Sequence, residues 1–179
     1  MRIAEATPQD IPTIQAIARA AWPVAYSSII SAEQIAYMLE RMYGTASLEA
    51  QFGEKGHRFL LARTEDAAIG FAGFEHHYLP RRSRLHKLYV LPQVKGTGAG
   101  HALLEAVFSE ARNNGDTHIE LNVNKRNPAK LFYQRHGFTV ERDEVLDIGN
   151  GFVMDDHVMV RGLDDQFMDT GAGGRPYFR

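Results

Sequence analysis

The sequence predicts an α/β fold of the α+β kind, with a mixed central sheet of about six to seven strands flanked by helices. Hydrophobic runs with a period of two alternate with longer runs of helical period, so strands and helices are interspersed. Several strands precede a strand–loop–helix–strand unit over residues 84–123, and the two strands of such a unit are parallel. The length of 179 residues corresponds to one domain, at roughly 100–200 residues per domain.

Composition and charge exclude several classes of protein. The net charge of −2 gives no basic excess for nucleic acid, and no apolar run approaches the roughly 18 residues that span a membrane. The first residues lack the apolar core of a signal peptide. The absence of cysteine excludes disulfides, thiolate metal sites and a cysteine nucleophile. We therefore expect a cytoplasmic protein that acts on a small molecule.

The first segments predict a short strand and a helix. Residues 2–6 alternate between apolar and polar side chains, as in a strand. Thr7 followed by Pro8 is typical of a helix start. Helical spacing of apolar residues continues to Trp22, and Pro23 is predicted to end this helix because proline removes a backbone donor.

The next segments predict two helices and a strand pair. Ser31 begins a second helix through a capping box, and a shorter helix is expected around residues 45–53. The hydrophobic period then changes to two, which predicts strands over 57–63 and 68–77 joined by a turn.

The second half of the chain continues with a strand, a Gly-rich loop, a helix, a strand, a helix and a final antiparallel pair. After residue 163 the composition shifts to aspartate and glycine, so we expect a domain over 1–163 and a flexible tail over 164–179. The predicted elements lie at 84–91, 95–100, 102–113, 117–123, 128–136, 138–147 and 152–160.

The Gly-rich loop Lys95–Gly100 has the composition of an anion site. It precedes a helix, whose N-terminal amides and dipole attract negative charge, and glycines let the backbone approach a phosphate closely. His101 and Ala102 follow the last glycine, so the loop is not a P-loop, and the glycine spacing does not match a dinucleotide fingerprint. A βα turn without a ligand is the alternative.

Two segments resemble the GNAT family of N-acetyltransferases. Residues 88–104, LYVLPQVKGTGAGHALL, resemble the family's acetyl-CoA-binding segment, and residues 121–138, LNVNKRNPAKLFYQRHGF, resemble its fifth strand and the helix after it. The N-terminal helices look like those of bacterial members, including polyamine-acetylating ones. The resemblance covers roughly 1–163 and implies the GNAT fold, with strands 4 and 5 parallel and splayed.

The resemblance also implies a set of residues that bind acetyl-CoA. The backbone of the loop would hold the pyrophosphate, strand 4 would pair with pantetheine and polarise the thioester carbonyl, and Asn127 would contact the cofactor arm, with Asn124 as a rival. Lys95 stands where Arg or Gln is usual when the motif is counted from Pro92. The implied residues are Leu88, Tyr89, Val90, Lys95, Gly96, Thr97, Gly98, Ala99, Gly100, His101, Asn127 and Tyr133.

The catalytic residues implied by the resemblance are Tyr133, Glu75 and His86. Tyr133 matches the family tyrosine near the CoA sulfur and would protonate the leaving thiolate; a core aromatic is the alternative. The family often uses a glutamate base on or near strand 4. Here strand 4 offers His86, which alternation places on the side of Leu88, and Glu75 ends the preceding strand, where a solvent-exposed position is the alternative.

Other polar and aromatic residues have more than one interpretation. No metal site is predicted at His76 and His77, because adjacent strand residues point to opposite faces. The basic cluster Arg81, Arg82 and Arg84 could be a solvated loop, or could meet acidic substrates or the CoA 3′-phosphate. Trp22 could line the acceptor site or fill the core.

The sequence and the resemblance together predict an N-acetyltransferase that moves an acetyl group from acetyl-CoA to a primary amine by direct attack in a ternary complex. The expected acceptor is a small molecule: a polyamine, an amino acid or a peptide N-terminus. The alternatives are a non-catalytic acetyl-CoA sensor and an enzyme that acetylates a partner protein. We expect no nucleic-acid partner and no membrane partner, and a homodimer is a state found among relatives.

Overall fold

A seven-stranded mixed sheet in the order β1-β2-β3-β4-β5-β7-β6 forms the centre of the protein. The computed structural model describes residues 1–164. The strands are β1 (Arg2–Glu5), β2 (Arg58–Arg63), β3 (Ala68–Leu79), β4 (Arg82–Val90), β5 (His118–Asn124), β6 (Thr139–Gly149) and β7 (Phe152–Gly162). The helices are α1 (Ile11–Tyr26), α2 (Ala32–Tyr43), α3 (Thr45–Phe52), α4 (Ala99–Asn113) and α5 (Ala129–Arg135).

The two faces of the sheet carry separate hydrophobic cores. On one face, α4 and α5 pack on the sheet through fully buried side chains such as Leu103 and Phe108. On the other face, α1–α3 cover the first strands around Trp22, Phe59 and Phe71. This layered arrangement buries both sides of the central strands and confirms the predicted fold class.

The pairing of β4 and β5 is parallel, as predicted, and it is short. It joins Arg82–Leu85 to His118–Leu121, four residue pairs in all. β4 then continues to Val90 and β5 to Asn124 without pairing to each other, so the two strands diverge and leave a gap. β7 lies on the other side of β5, antiparallel to it.

A β-bulge in β4 changes which face His86 occupies. Leu85 lies opposite Phe74, and Lys87 lies opposite the adjacent Gly73, so His86 is an extra residue in β4. Strict alternation placed His86 on the side of Leu88, which is wrong. Leu88 packs against the α4 core, whereas His86 stacks on another imidazole at the α1–α3 face.

Helix α1 does not end at Pro23, contrary to the prediction. It continues to Tyr26, and the Ser27 amide donates to the Pro23 carbonyl at 3.0 Å. A proline inside a helix costs about 3 kcal/mol. Trp22 and Tyr26 are both buried on the sheet side of the helix, and this burial outweighs the cost.

The remaining boundaries follow the predictions within a few residues, with longer strands. The β6–β7 hairpin has 11 residues in each strand and turns at Asn150 and Gly151, which both have positive φ as a tight hairpin turn requires. Apart from Asp164, the predicted flexible tail 164–179 lies outside the described residues. Within residues 1–164, none of the helices is both long and apolar enough to cross a membrane.

Candidate active site

The Gly-rich loop presents free backbone amides at the start of α4. Gly96 and Gly98 have φ of 85° and 89°, and an added Cβ at either would meet nothing within 4 Å. The first helical bond runs from the Ala102 amide to the Gly98 carbonyl at 2.9 Å. Three preceding amides therefore have no acceptor within the helix: those of Ala99, Gly100 and His101. This is the geometry of an anion site.

The surroundings of this loop tie it to α5. Lys95 and Thr97 are exposed beside the glycines, and Gly100 faces the Phe132 ring of α5. The His136 Nδ1 lies 2.8 Å from the Phe132 carbonyl, which can only accept, so Nδ1 of a neutral His136 carries the proton. His136 Nε2 then accepts from His101 Nδ1 at 2.9 Å. His101 thus links the loop to the helix that carries Tyr133.

The open edge of β4 lies beside this loop. Leu88, Tyr89 and Val90 pair with β3 on one side, and within the described residues no strand pairs with them on the side of β5. An extended group can add to such an edge through backbone hydrogen bonds. The three residues predicted to bind pantetheine are therefore available for it.

Tyr133 is a buried residue of α5 that lies near Tyr89 of β4. Its ring packs edge-on against Phe132 and Phe138, and its hydroxyl makes no hydrogen bond within residues 1–164. Burial raises the pKa of the Tyr133 phenol, and Tyr26 nearby raises it further. The hydroxyl is therefore protonated at neutral pH and has a proton to donate.

An aromatic cluster adjoins Tyr133 on the α1–α3 side. The Tyr26 hydroxyl hydrogen-bonds the Tyr89 hydroxyl at 2.9 Å, and Trp22 packs on both rings while donating to Tyr43 at 3.3 Å. Trp22 thus fills the core beneath the two tyrosines. Sequence reasoning missed Tyr26 because the helix was expected to end at Pro23; its spacing of four residues from Trp22 was the available signal.

The two candidate asparagines lie at the end of β5. Asn127 accepts from the Ala129 amide at 2.9 Å, where α5 begins. Burial raises the pKa of the Tyr26 phenol, and the nearby Asn127 side chain lowers it slightly. Asn124 is buried and accepts from the Arg126 amide at 2.9 Å. Of the two asparagines, Asn127 is thus the one whose side chain affects the Tyr26 phenol.

The predicted bases Glu75 and His86 are in contact. His86 Nε2 lies 2.9 Å from Glu75 Oε2, and His57 Nε2 lies 3.4 Å from the same oxygen. Burial lowers the pKa of His86 to about 2 and that of His57 to about 4, whereas burial raises the pKa of Glu75. The imidazoles are thus neutral near pH 7, and His86 donates its Nε2 proton to Glu75. Sequence reasoning missed His57, which only the β2–β3 pairing brings to this cluster.

The same three residues are types that ligate metals. Their ligand atoms lie within 4.8 Å of one another. However, the His57 and His86 rings are stacked, with centroids 4.2 Å apart and planes 12° apart. Imidazole lone pairs lie in the ring plane, so two nearly parallel rings do not direct them at one ion. The arrangement favours a hydrogen-bonded pair in which His86 donates to Glu75, and it does not favour a metal site.

Lys87 is buried next to this cluster. It is 5% exposed, its Nζ donates to Gln51 Oε1 at 2.6 Å, and it lies over the Tyr43 and Phe59 rings. Within residues 1–164 no carboxylate forms an ion pair with it. Burial lowers the pKa of Lys87 to about 7, and the charge of Lys55 contributes.

The other polar clusters have structural partners. Arg82 and Arg84 each donate at 2.9 Å to the fully buried Glu120, so these guanidiniums hold β4 to β5 at the end opposite the Gly-rich loop. A role for them at a cofactor phosphate beside that loop does not fit this position. His77 binds Asp116 at 2.7 Å and His76 faces Ser83 at 3.3 Å.

Comparison with known proteins agrees with this geometry. The family model described as "Acetyltransferase (GNAT) domain" matches residues 27–154. An uncharacterized N-acetyltransferase of Mycobacterium tuberculosis is 30% identical over 159 residues, covering 86% of this chain and 98% of the relative. A spermidine N(1)-acetyltransferase of Thermoplasma acidophilum is 26% identical over 152 residues, covering 82% of this chain and 91% of the relative.

A solved structure shares the fold. The PaiA N-acetyltransferase from Thermoplasma acidophilum, in complex with coenzyme A, superposes with a TM-score of 0.76 at 23% identity, covering 90% of this chain and 98% of that chain. The family model, the relatives, the parallel β4–β5 pair and the Gly-rich loop agree with one another. The chain therefore belongs to the GNAT family of acetyl-CoA-dependent N-acetyltransferases.

Proposed function

We propose that the protein transfers the acetyl group of acetyl-CoA to a primary amine by direct attack of the amine within a ternary complex. The observation that carries this proposal is the unpaired edge of Leu88–Val90 beside the β4–β5 gap. The free amides of Gly100 and His101 begin the helix that follows this edge, and Tyr133 is buried near Tyr89 of the edge. A nucleotide thioester needs an anion site, an extended groove and a proton donor, and in this proposal these residues would supply them.

The backbone of β4 and Tyr133 would activate the thioester and stabilise its leaving group. A backbone N–H on the open edge of β4 would polarise the thioester carbonyl, as in an oxyanion site with one donor. The amine nitrogen forms the new N–C bond as the C–S bond breaks, and the second proton that this nitrogen sheds would restore the Tyr133 phenol after it has protonated the sulfur. Tyr133 would give its proton to the departing sulfur, and its raised pKa keeps that proton available at neutral pH. Because the 179 residues contain no cysteine, an acyl-cysteine on this chain has no role.

Glu75, oriented by His86, would accept the proton of the amine. A primary amine with a pKa near 10 is mostly cationic at neutral pH and must lose a proton before it attacks. His86 with a pKa of about 2 holds an added proton poorly, whereas burial raises the pKa of Glu75. Glu75 is partly exposed, so a water molecule could connect it to the amine.

The acceptor is proposed to be a small-molecule amine, with a polyamine, an amino acid and a peptide N-terminus as candidates. The relative named as a spermidine acetyltransferase supports a small amine. We also propose that the protein acts in the cytoplasm and forms a homodimer.

A thiol-release assay with acetyl-CoA across these amines tests the proposal. Release of CoA thiol that depends on one class of amine, with intersecting initial-velocity lines, is the expected result. Parallel lines would contradict the ternary complex. Tight acetyl-CoA binding without thiol release for any small amine would favour a sensor, and release only with a protein acceptor would favour a protein-modifying enzyme.

A further inference from the structure

Asp156 on β7 is a buried carboxylate, and among residues 1–164 one of its oxygens has no partner. It is 5% exposed, and its Oδ1 accepts no hydrogen bond from the described part of the chain. Its Oδ2 receives only a long bond of 3.4 Å from Asn122 Nδ2. No ion pair involves Asp156 within residues 1–164. Burying an unpaired carboxylate is costly, and buried polar atoms in folded proteins nearly always have partners. The missing partner therefore needs an explanation.

A second carboxylate lies beside Asp156. Glu144 lies directly opposite Asp156 in the β6–β7 register, and the side-chain amide of Asn122 donates to Glu144 Oε2 at 2.9 Å. Burial raises the pKa of Asp156, and the Glu144 charge raises it further. The charge of Arg84 lowers the pKa of Asp156 in part, but Arg84 is already bonded to Glu120 and to Asn122 Oδ1. The site is thus electrostatically complementary to a cation.

The position of Asp156 relates this site to the reaction centre. Asp156 lies opposite Asn124, so both side chains project from the α1–α3 face of the sheet at the diverging end of β5. Burial raises the pKa of the Tyr26 phenol, and the Asp156 charge raises it further. The Tyr26 hydroxyl in turn hydrogen-bonds the Tyr89 hydroxyl on β4. The carboxylate therefore lies on the same face of the sheet as His86, which contacts the proposed base Glu75.

The distance across the strands determines what this carboxylate can bind. A thioester in the β4–β5 gap would lie about 4.8 Å from β5, the usual spacing of neighbouring strands. β7 lies beyond β5 at a further spacing of about 4.8 Å. The total of roughly 10 Å is too long for Asp156 to contact the attacking nitrogen. It suits a second nitrogen that a short aliphatic chain separates from the first.

We propose that Asp156 and Glu144 form an ammonium-binding subsite that selects acceptors carrying a second cationic amino group a few carbons from the acetylated one. This inference rests on the proposed acetyl transfer to an amine. One amino group is deprotonated and attacks, while the other stays charged and completes the hydrogen bonding of Asp156 Oδ1. The substrate class is therefore an aliphatic diamine or polyamine.

A matched pair of acceptors tests the subsite. n-Butylamine and 1,4-diaminobutane have the same carbon chain and differ in the second amino group. We expect wild-type kcat/KM to favour the diamine, and Asp156→Asn to reduce that preference by about 10- to 100-fold, the usual effect of losing a charged hydrogen-bond partner. Turnover of n-butylamine should stay within a few-fold. Equal kcat/KM for both amines in the wild type would refute the subsite.

Control variants separate the subsite from a general change in charge. Asp155→Asn removes the same charge from the neighbouring, exposed residue, which pairs with Lys125 at 2.7 Å on the other face. It should keep the diamine preference. Glu144→Gln should reduce the preference by a smaller factor than Asp156→Asn. Thermal unfolding of each variant checks that it folds, and an unchanged preference in a folded Asp156→Asn protein would overturn the proposal.

A binding measurement distinguishes failure of the subsite from failure of the proposed reaction. Calorimetry with 1,4-diaminobutane in the presence of CoA needs no turnover. If no amine releases thiol, the transfer proposal fails, while diamine binding that is lost in Asp156→Asn still supports the subsite. If n-butylamine is acetylated and the diamine binds no better to the wild type than to Asp156→Asn, the subsite is refuted and the transfer reaction stands.

Discussion

Lys87 makes the stability of this protein depend on pH in a direction that can be calculated. Its ammonium is buried and has no carboxylate partner among residues 1–164, and burial lowers its pKa from 10.5 to about 7. Below about pH 7 the folded and unfolded chains both carry the proton, and the folded state bears the full cost of the buried charge. As the pH rises from 7 towards 10.5, the folded state loses the proton first and that cost disappears. Stability therefore rises with pH in this window.

The magnitude follows from the difference between the two pKa values. At about 1.4 kcal/mol per pH unit, a change from 10.5 to about 7 corresponds to a cost on the order of 5 kcal/mol at low pH. Lys87→Met removes the charge and keeps a chain of similar length, but leaves Gln51 Oε1 without its donor, which costs about 1–3 kcal/mol. We expect a variant that is more stable than the wild type at pH 7, with this advantage falling by about 3 kcal/mol by pH 9.5.

Urea unfolding at several pH values between 7 and 9.5 measures this difference. Burial raises the pKa of Tyr26, Tyr43, Tyr89 and Tyr133, which affects stability above about pH 10 in both proteins, so the comparison of variant with wild type removes it. Lys95→Met removes an exposed lysine that does not contribute to the Lys87 pKa and should give a difference that does not change with pH. A Lys87→Met difference that is equally flat would refute the reasoning.

Four further predictions concern the site and its support. Tyr133→Phe should lower kcat by about 10²–10⁴-fold with little change in CoA affinity; steady-state kinetics with unchanged kcat would exclude the acid role. Gly98→Asp places a carboxylate and a strained φ at the anion site and should weaken CoA binding by more than about 100-fold in calorimetry, whereas Gly56→Asp, with φ of 64° in open space, should not. Glu75→Gln should remove the acid limb of the pH–rate profile, because wild-type activity falls as Glu75 is protonated through its raised pKa; a profile that keeps this limb would point to another base. Glu120→Gln leaves two arginines less well compensated and should lower the free energy of unfolding by about 3–5 kcal/mol in chemical denaturation; a loss below about 1 kcal/mol would mean that solvent compensates them.

Local patterns predicted most of the fold. Hydrophobic period and capping signals located every helix and strand to within a few residues, because these signals depend on neighbours in sequence. The sequence predicted the parallel pairing of β4 and β5, since a strand–helix–strand unit leaves few alternatives. The insertion of β7 between β5 and β6 depends on long-range pairing, for which the sequence carries no local signal.

The parts of the site that were missed have specific physical causes. The bulge at His86 arises where Leu85 and Lys87 pair with adjacent residues of β3, so simple alternation gave the wrong face. Tyr26 was missed because packing of Trp22 outweighs the local cost of Pro23. Asp156 carries no motif, and its importance comes from burial without a partner, which only the folded chain reveals.

The divergence of β4 and β5 divides the sheet into two halves. Strands β1–β4 form one half and β5, β7 and β6 form the other, and only four residue pairs join them. An extended co-substrate arm in the gap would act as an additional strand between the halves. Occupancy should therefore slow amide hydrogen exchange in both halves, including β6, which lies two strands from the gap. Binding of the co-substrate would thus also connect the two halves into one continuous sheet.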